Sequence, residues 1–153
     1  MRRFARWTGL AAAAAAIAIQ FVRPARTNPP TDPSRTLFAL IDVPPEAAAV
    51  LDRACRDCHS NETRWPWYSS VAPASWLVVD HVNHGRSHLN YSDWARYSRD
   101  DARRLLDAVC TLSRQEAMPM SSYLKMHREA RLTEPDILAL CSWADSAARM
   151  ARR

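Results

Sequence analysis

The sequence predicts a small all-α domain preceded by an N-terminal hydrophobic helix. Three observations lead there. Only two glycines occur, Gly9 and Gly85, whereas β-sandwiches and barrels draw on glycine for their turns and bulges. The ten prolines fall between periodic stretches rather than inside them. Within those stretches apolar residues recur every three or four positions, the period of one helix face, and no alternating strand pattern is present. At 153 residues the chain is long enough for one such domain and short for two. The glycine scarcity also excludes a glycine-rich phosphate loop.

The first element is the hydrophobic helix. Arg2, Arg3 and Arg6 precede an apolar run from Trp7 to Val22, closed by Arg23 and Pro24. A charged start, an apolar middle and a polar continuation are the layout of an export signal. The run spans roughly 24 Å as a helix at ~1.5 Å per residue, short for a bilayer but sufficient if the flanking arginines reach toward the interfaces. The bulky ending Gln20-Phe21-Val22-Arg23 offers no small-residue cleavage site. Residues 1–24 are therefore expected to remain as a single anchor in a bacterial inner membrane. The alternative is a cleaved signal that leaves a soluble periplasmic domain. The leading arginines put the N-terminus in the cytoplasm and the domain in the periplasm. Residues 25–42, with Pro29, Pro30 and Pro33, read as an extended tether.

The formal charge of +5 sits in this leader. Five of the 21 basic residues lie in the first 26 positions and no acid does, which leaves 16 basic against 16 acidic residues elsewhere. A folded part without charge excess is a poor nucleic-acid binder, so no nucleic-acid partner is expected.

Residues 43–148 form the domain. Pro44-Pro45-Glu46 starts a helix with Ala47, Val50, Leu51 and Ala54 on one face, running into Cys55. A second helix is expected from Ala74 to about Asn83, with Pro73 in its first turn and Gly85 as its stop. Ser92 is the expected cap of a short helix holding Trp94 and Tyr97. Ser98 or Arg99 opens a longer one, with Ala102, Leu105, Leu106, Val109 and Cys110 on one face. Pro119 interrupts the chain. Thr133-Glu134-Pro135-Asp136 resembles a capping box and starts a last helix carrying Ile137, Leu140, Cys141, Ala144 and Ala148.

Cys55-Arg56-Asp57-Cys58-His59 is the pattern that carries chemistry. Two thiols three residues apart at a helix end can add to the two vinyl groups of one haem, and the adjacent histidine then sits under the iron as its proximal ligand. A thioredoxin-like pair would want a βαβ setting, which is absent. A zinc site would want a second Cys-x-x-Cys. A plain disulfide between Cys55 and Cys58 is the remaining rival. The reading is one covalent haem c per chain, held by Cys55, Cys58 and His59.

A sixth iron ligand is sought further along. Met118-Pro119-Met120 lies between two helices, and a thioether there would stabilise ferrous iron. Met118 is the expected distal ligand and Met120 the alternative. His81, His84 and His88 have metal-like spacing on a continuous helix, but Gly85 interrupts them and they read mainly as solvated. Trp65, Trp67 and Tyr68 follow the motif closely and are candidates for the walls of a haem pocket, with Arg64 a possible partner for propionate charge. Cys110 and Cys141 are left as either a disulfide or two buried thiols.

These residues resemble a known family. Ile19 to Pro24, the block from Cys55 to Ser69, Ala72 to Leu77, Gly85-Arg86, Leu89 to Trp94, Met118-Pro119, Ser122-Tyr123 and Cys141 to Ala144 together resemble the small bacterial haem-binding domain proteins, a cytochrome c-like group with an N-terminal membrane segment. The resemblance covers residues 17 to 147. It implies a cytochrome c-like helical fold, covalent haem c, His59 as proximal ligand and Met118 as distal ligand. Where the family has Met-Pro-Pro, this chain has Met118-Pro119-Met120, a second thioether beside the first. The expected role is one-electron transfer to a periplasmic or membrane redox partner, a carrier rather than an enzyme. The rival roles are a haem-based sensor or gas-binding module and a peroxidase-type enzyme.

Overall fold

The structure, a computed structural model, describes residues 2–150. Eight α-helices joined by short 3-10 turns make up the fold, and no strand occurs among the described residues. α1 (Arg2–Ala18) runs through a 3-10 turn to Phe21, and residues 3–18 are exposed throughout. It is the one helix among the described residues that is long and apolar enough to cross a membrane. A helix apolar on every side has no polar face to give to water.

Residues 25–42 differ from the free spacer that their prolines suggest. Asp32 caps a turn at Pro33–Arg35, and Thr36 caps α2 (Leu37–Leu40) by accepting from the Ala39 N–H. Leu37 is 0% exposed and belongs to the domain core. Arg35 pairs with Asp93 at 2.9 Å, and Asn28 donates to the Thr63 carbonyl at 3.0 Å. The segment is a strap. The prolines keep residues 25–32 out of a helix, and polar groups there, such as the Asn28 side chain, find partners on the domain surface instead.

α3 (Pro45–Ala54) buries Ala47, Val50, Leu51 and Ala54, the face its spacing predicts. Cys55 leaves the helical region at φ −126°, and the one-turn α4 (Arg56–His59) follows. α5 (Ala74–His88) continues past Gly85 rather than stopping there. A glycine in a helix interior costs about 1 kcal/mol relative to alanine, so its place needs a packing reason, given below. In the 3-10 segment Tyr91–Arg96 the cap is Asn90, which accepts from the Ser92 N–H at 2.9 Å. Ser92 is not the cap because its hydroxyl accepts from the Asn61 N–H at 3.0 Å.

α6 (Arg99–Arg114) starts at Ser98, whose side chain accepts from the Asp101 N–H. It ends in a Schellman turn: Ala117 N–H reaches the Leu112 carbonyl at 3.0 Å and Glu116 N–H the Ser113 carbonyl at 3.2 Å. Glu116 takes the left-handed conformation at φ 54°, where glycine is usual. This turn launches the Met118–Met120 segment, and the short α7 (Ser121–Leu124) follows. α8 (Glu134–Met150) begins at the predicted capping box, with Thr133 N–H donating to Asp136 Oδ2 at 2.8 Å.

The core lies where α3, α6 and α8 meet. Leu106 of α6 and Leu140 and Ala144 of α8 are fully or almost fully buried there, and Leu37 of the strap joins them. Trp143 closes one side and donates from Nε1 to the Asp42 carbonyl at 3.1 Å. Cys110 and Cys141 form a disulfide that links α6 to α8 across 31 residues. By loop-closure entropy such a link stabilises the fold by about 3–4 kcal/mol.

If the strap is part of the fold, Leu37→Ala lowers stability by about 2–5 kcal/mol, read as a shifted urea midpoint at unchanged slope. A change under about 0.5 kcal/mol, the size of a neutral surface substitution, would restore the free spacer.

Candidate functional site

The site begins at the kink between α3 and α4. Cys55 N–H still bonds to the Leu51 carbonyl at 3.1 Å, and the Cys55 carbonyl receives the His59 N–H at 3.0 Å. One turn thus carries both thiols and the imidazole. Neither thiol is in a disulfide. Burial pushes Cys55 up to about 11, against the Tyr91 hydroxyl beside it. Burial also pushes Cys58 up to about 11, with the Asp57 carboxylate adding to the effect. Both are therefore neutral thiols at pH 7, not reactive thiolates.

His59 is fixed by its surroundings. Its Nδ1–H donates to the Leu89 carbonyl at 3.0 Å, which leaves the lone pair on Nε2. Burial holds its pKa below the ordinary histidine value, so the ring is a neutral donor available to a metal.

Gly85 explains the closeness of α5. A Cβ there would lie 2.3 Å from the Cys58 carbonyl oxygen and 2.9 Å from the carbonyl carbon. Backbone meets backbone, so nothing flexible can yield. The neighbouring Arg86 clamps the same region. Its Nε donates to the Ser60 carbonyl at 2.7 Å, and its terminal nitrogens donate to the Thr27 carbonyl, Asn28 Oδ1 and Thr63 Oγ1. One guanidinium thereby ties α5, the loop after α4 and the strap together.

A half-open cleft of ≈ 270 Å3 adjoins Cys58. Trp67, Tyr68, Leu77, Val78, Met120 and Tyr123 are among the side chains that wall it. Of the predicted pocket aromatics, Trp67 and Tyr68 line this cleft. Trp65 does not; it donates to Asn28 Oδ1 at 3.1 Å and holds the strap. Cys55 and His59 lie outside the lining, toward Tyr91 and Leu89. Met120 lines the cleft, whereas Met118 lines a separate hollow with Ser113, Leu124 and Arg131. His81 is half-buried in the cleft wall, but His84 and His88 are exposed, and among the described residues no cluster of metal-ligating side chains forms.

Two further side chains line the cleft: Tyr123, known from the sequence only as part of the resemblance, and His127, which had no sequence signal. Tyr123 donates to Asp57 Oδ2 at 3.0 Å and stacks on His127 at 4.2 Å. Tyr68 donates to His127 Nε2 at 2.7 Å, and His127 Nδ1–H donates to Glu129 at 3.1 Å. Burial, then Asp57, pushes the Tyr123 hydroxyl well above its ordinary range, so it stays a donor. Arg64 is already engaged, with Nε on Asp57 at 3.0 Å and a terminal nitrogen on the Asp52 carbonyl at 2.7 Å. Asp57 therefore receives both the rim arginine and the cleft tyrosine.

The family model for a haem-binding domain matches residues 14–146. That span takes in the end of α1, the strap, the Cys55–His59 turn and the whole cleft. The chain belongs to the haem-binding domain family. No curated protein and no solved structure matches it. Haem binding follows from membership, and the residues of this haem-binding domain fit that group. Two unpaired thiols flank one turn, a neutral imidazole offers Nε2, and a thioether faces an apolar cleft beside one of the thiols.

The Gly85 contact gives this haem-binding domain a test. Gly85→Ala costs about 1–3 kcal/mol by overpacking, despite the ~1 kcal/mol gain in helix propensity. It also reduces haem incorporation measured by absorbance per chain. A variant as stable and as fully loaded as the parent would show that α5 can retreat from Cys58.

Proposed function

We propose that the chain is a membrane-anchored monohaem cytochrome of c type, with its domain on the periplasmic side and one-electron transfer as its task. The observation that carries this reading is the single turn holding Cys55, Cys58 and His59, with His59 Nδ1–H pinned to the Leu89 carbonyl at 3.0 Å. Cys55 and Cys58 would form the two thioethers. His59 would ligate through Nε2, oriented by the Leu89 carbonyl. Burial of that imidazole excludes the proton that would compete for Nε2. When bound, the haem iron supplies a one-electron couple.

The distal ligand in this proposal is Met120 rather than the Met118 expected from the sequence, because Met120 shares the cleft with Cys58 and Met118 lines another hollow. The soft thioether favours the ferrous state and raises the potential. Both axial positions would then be filled by protein, so reduction demands little rearrangement. α1 confines the domain to the membrane plane and raises its effective concentration toward a membrane-bound partner.

The test is the absorption spectrum of the full chain, produced where c-haem maturation operates, in oxidised, reduced and carbon monoxide-treated states. The expected result is a covalent low-spin haem with the far-red methionine–iron band and no carbon monoxide shift. Met120→Ala keeps the haem attached, removes that band and lowers the potential; Met118→Ala keeps the band. Loss of the band in Met118→Ala alone would return the ligand to Met118. Ready carbon monoxide binding by the unaltered protein would replace electron transfer with gas binding, and absence of covalent haem would sink the proposal.

A further inference from the structure

The end of α1 is bonded to one particular face of the domain. Gln20 makes two hydrogen bonds to the backbone of Ala72, donating to its carbonyl at 3.1 Å and accepting from its N–H at 3.0 Å. Trp76 Nε1 donates to the Val22 carbonyl at 2.7 Å. Arg26 donates to the hydroxyls of Ser69 and Ser70, the latter at 2.6 Å. Such a junction is not a swivel. It fixes which face of the domain lies nearest the last turn of the apolar helix.

That face is apolar and uncovered. Trp67 is 74% exposed, Leu77 52% and Val71 44%, and Trp76, Phe21 and Val22 are also exposed beside the junction. No Asp or Glu occurs between Glu62 and Asp80, or before Asp32. Arg23 and Arg26 lie at the same edge. Tryptophan prefers the membrane–water interface, and arginine there meets lipid phosphate. Asp80 lies exposed one turn beyond Leu77 and marks the edge of this face; within residues 63–79 a water-facing surface has no comparable reason to gather two exposed tryptophans and no acid.

We propose that residues 67–77 form a membrane seat, with Trp67, Val71, Trp76 and Leu77 entering the headgroup layer of the bilayer that α1 crosses. The proposal rests on the reading of α1 as an anchor. The occupant is the lipid surface itself. Trp67 and Leu77 are also on the cleft wall, so the seat brings the mouth of the cleft down to the membrane plane.

The full chain with its haem is reconstituted in phosphatidylcholine nanodiscs containing a phospholipid with a diazirine close to the glycerol. It is then irradiated and mapped by mass spectrometry. The expected result is lipid adducts on α1 and on residues 67–77, with none on the charged face of α6. Gln20→Ala combined with Arg26→Ala and Trp76→Phe, which together remove the side-chain hydrogen bonds of the junction, keeps the α1 adducts and loses those at 67–77. Adducts on α1 without adducts at 67–77 overturn the seat and leave the anchor standing. Absence of adducts on α1 overturns the anchor, and the seat with it. Equal labelling of α6 also overturns the seat, because the probe is then reporting exposure alone.

Discussion

The contact between Gly85 and the Cys58 carbonyl is the constraint on which the site depends. α5 can lie against the Cys55–His59 turn only because position 85 has no side chain. That closeness brings Leu89 within reach of His59 and puts Leu77, Val78 and His81 into the wall opposite Cys58. The protein accepts a weak helix residue to obtain it. Gly85 therefore gives up its usual role as a helix terminator and serves as a packing notch.

Around that contact a small set of bridging side chains satisfies most polar groups, with the buried Arg56 Nε left unpartnered. Arg86 spans three separate segments, which a lysine with one ammonium could not match. Asn90 donates to Asn61 at 2.9 Å and caps the next turn through the same amide, so the loop after His59 is held from both sides. Asp57 binds Arg64 and Tyr123 and sits next to Cys58 in the chain. Its carboxylate disfavours a thiolate there. The turn is thus rigid and electrically quiet, a suitable setting for a neutral imidazole donor.

The strap changes how the N-terminal third is understood. Proline content fits the irregular backbone up to Asp32, but not the helical turns at Pro33–Arg35 and Leu37–Leu40 that follow. It did not describe its docking, because a proline-rich segment looks the same whether it is solvated or lies on a surface. Leu37 is the residue that distinguishes the two, and the five-residue apolar run 37–41 that holds it is too short for periodicity to show which of its side chains is buried. With the strap bound to Arg86 and the core, and Gln20 bonded to Ala72, the domain and the segment that follows α1 are one connected unit.

The sequence by itself determined the helical class, the start of α6 at Ser98 or Arg99, the cap at Thr133, the buried faces of α3, α6 and α8, and the thiol–thiol–imidazole turn. Each is written in residues close together in the chain, where spacing fixes geometry. The tertiary structure decided what depends on distant partners. It decided that Gly85 faces Cys58, that Cys110 meets Cys141, and that Trp65 holds the strap while Trp67 lines the cleft. It also separated Met120 from Met118. Two residues apart across a proline, they line different hollows just beyond the Schellman turn at Glu116. That turn was illegible because the left-handed position carries a glutamate where the sequence signal would be a glycine. Side-chain type declares what chemistry is possible, but only packing brings the donors to one place.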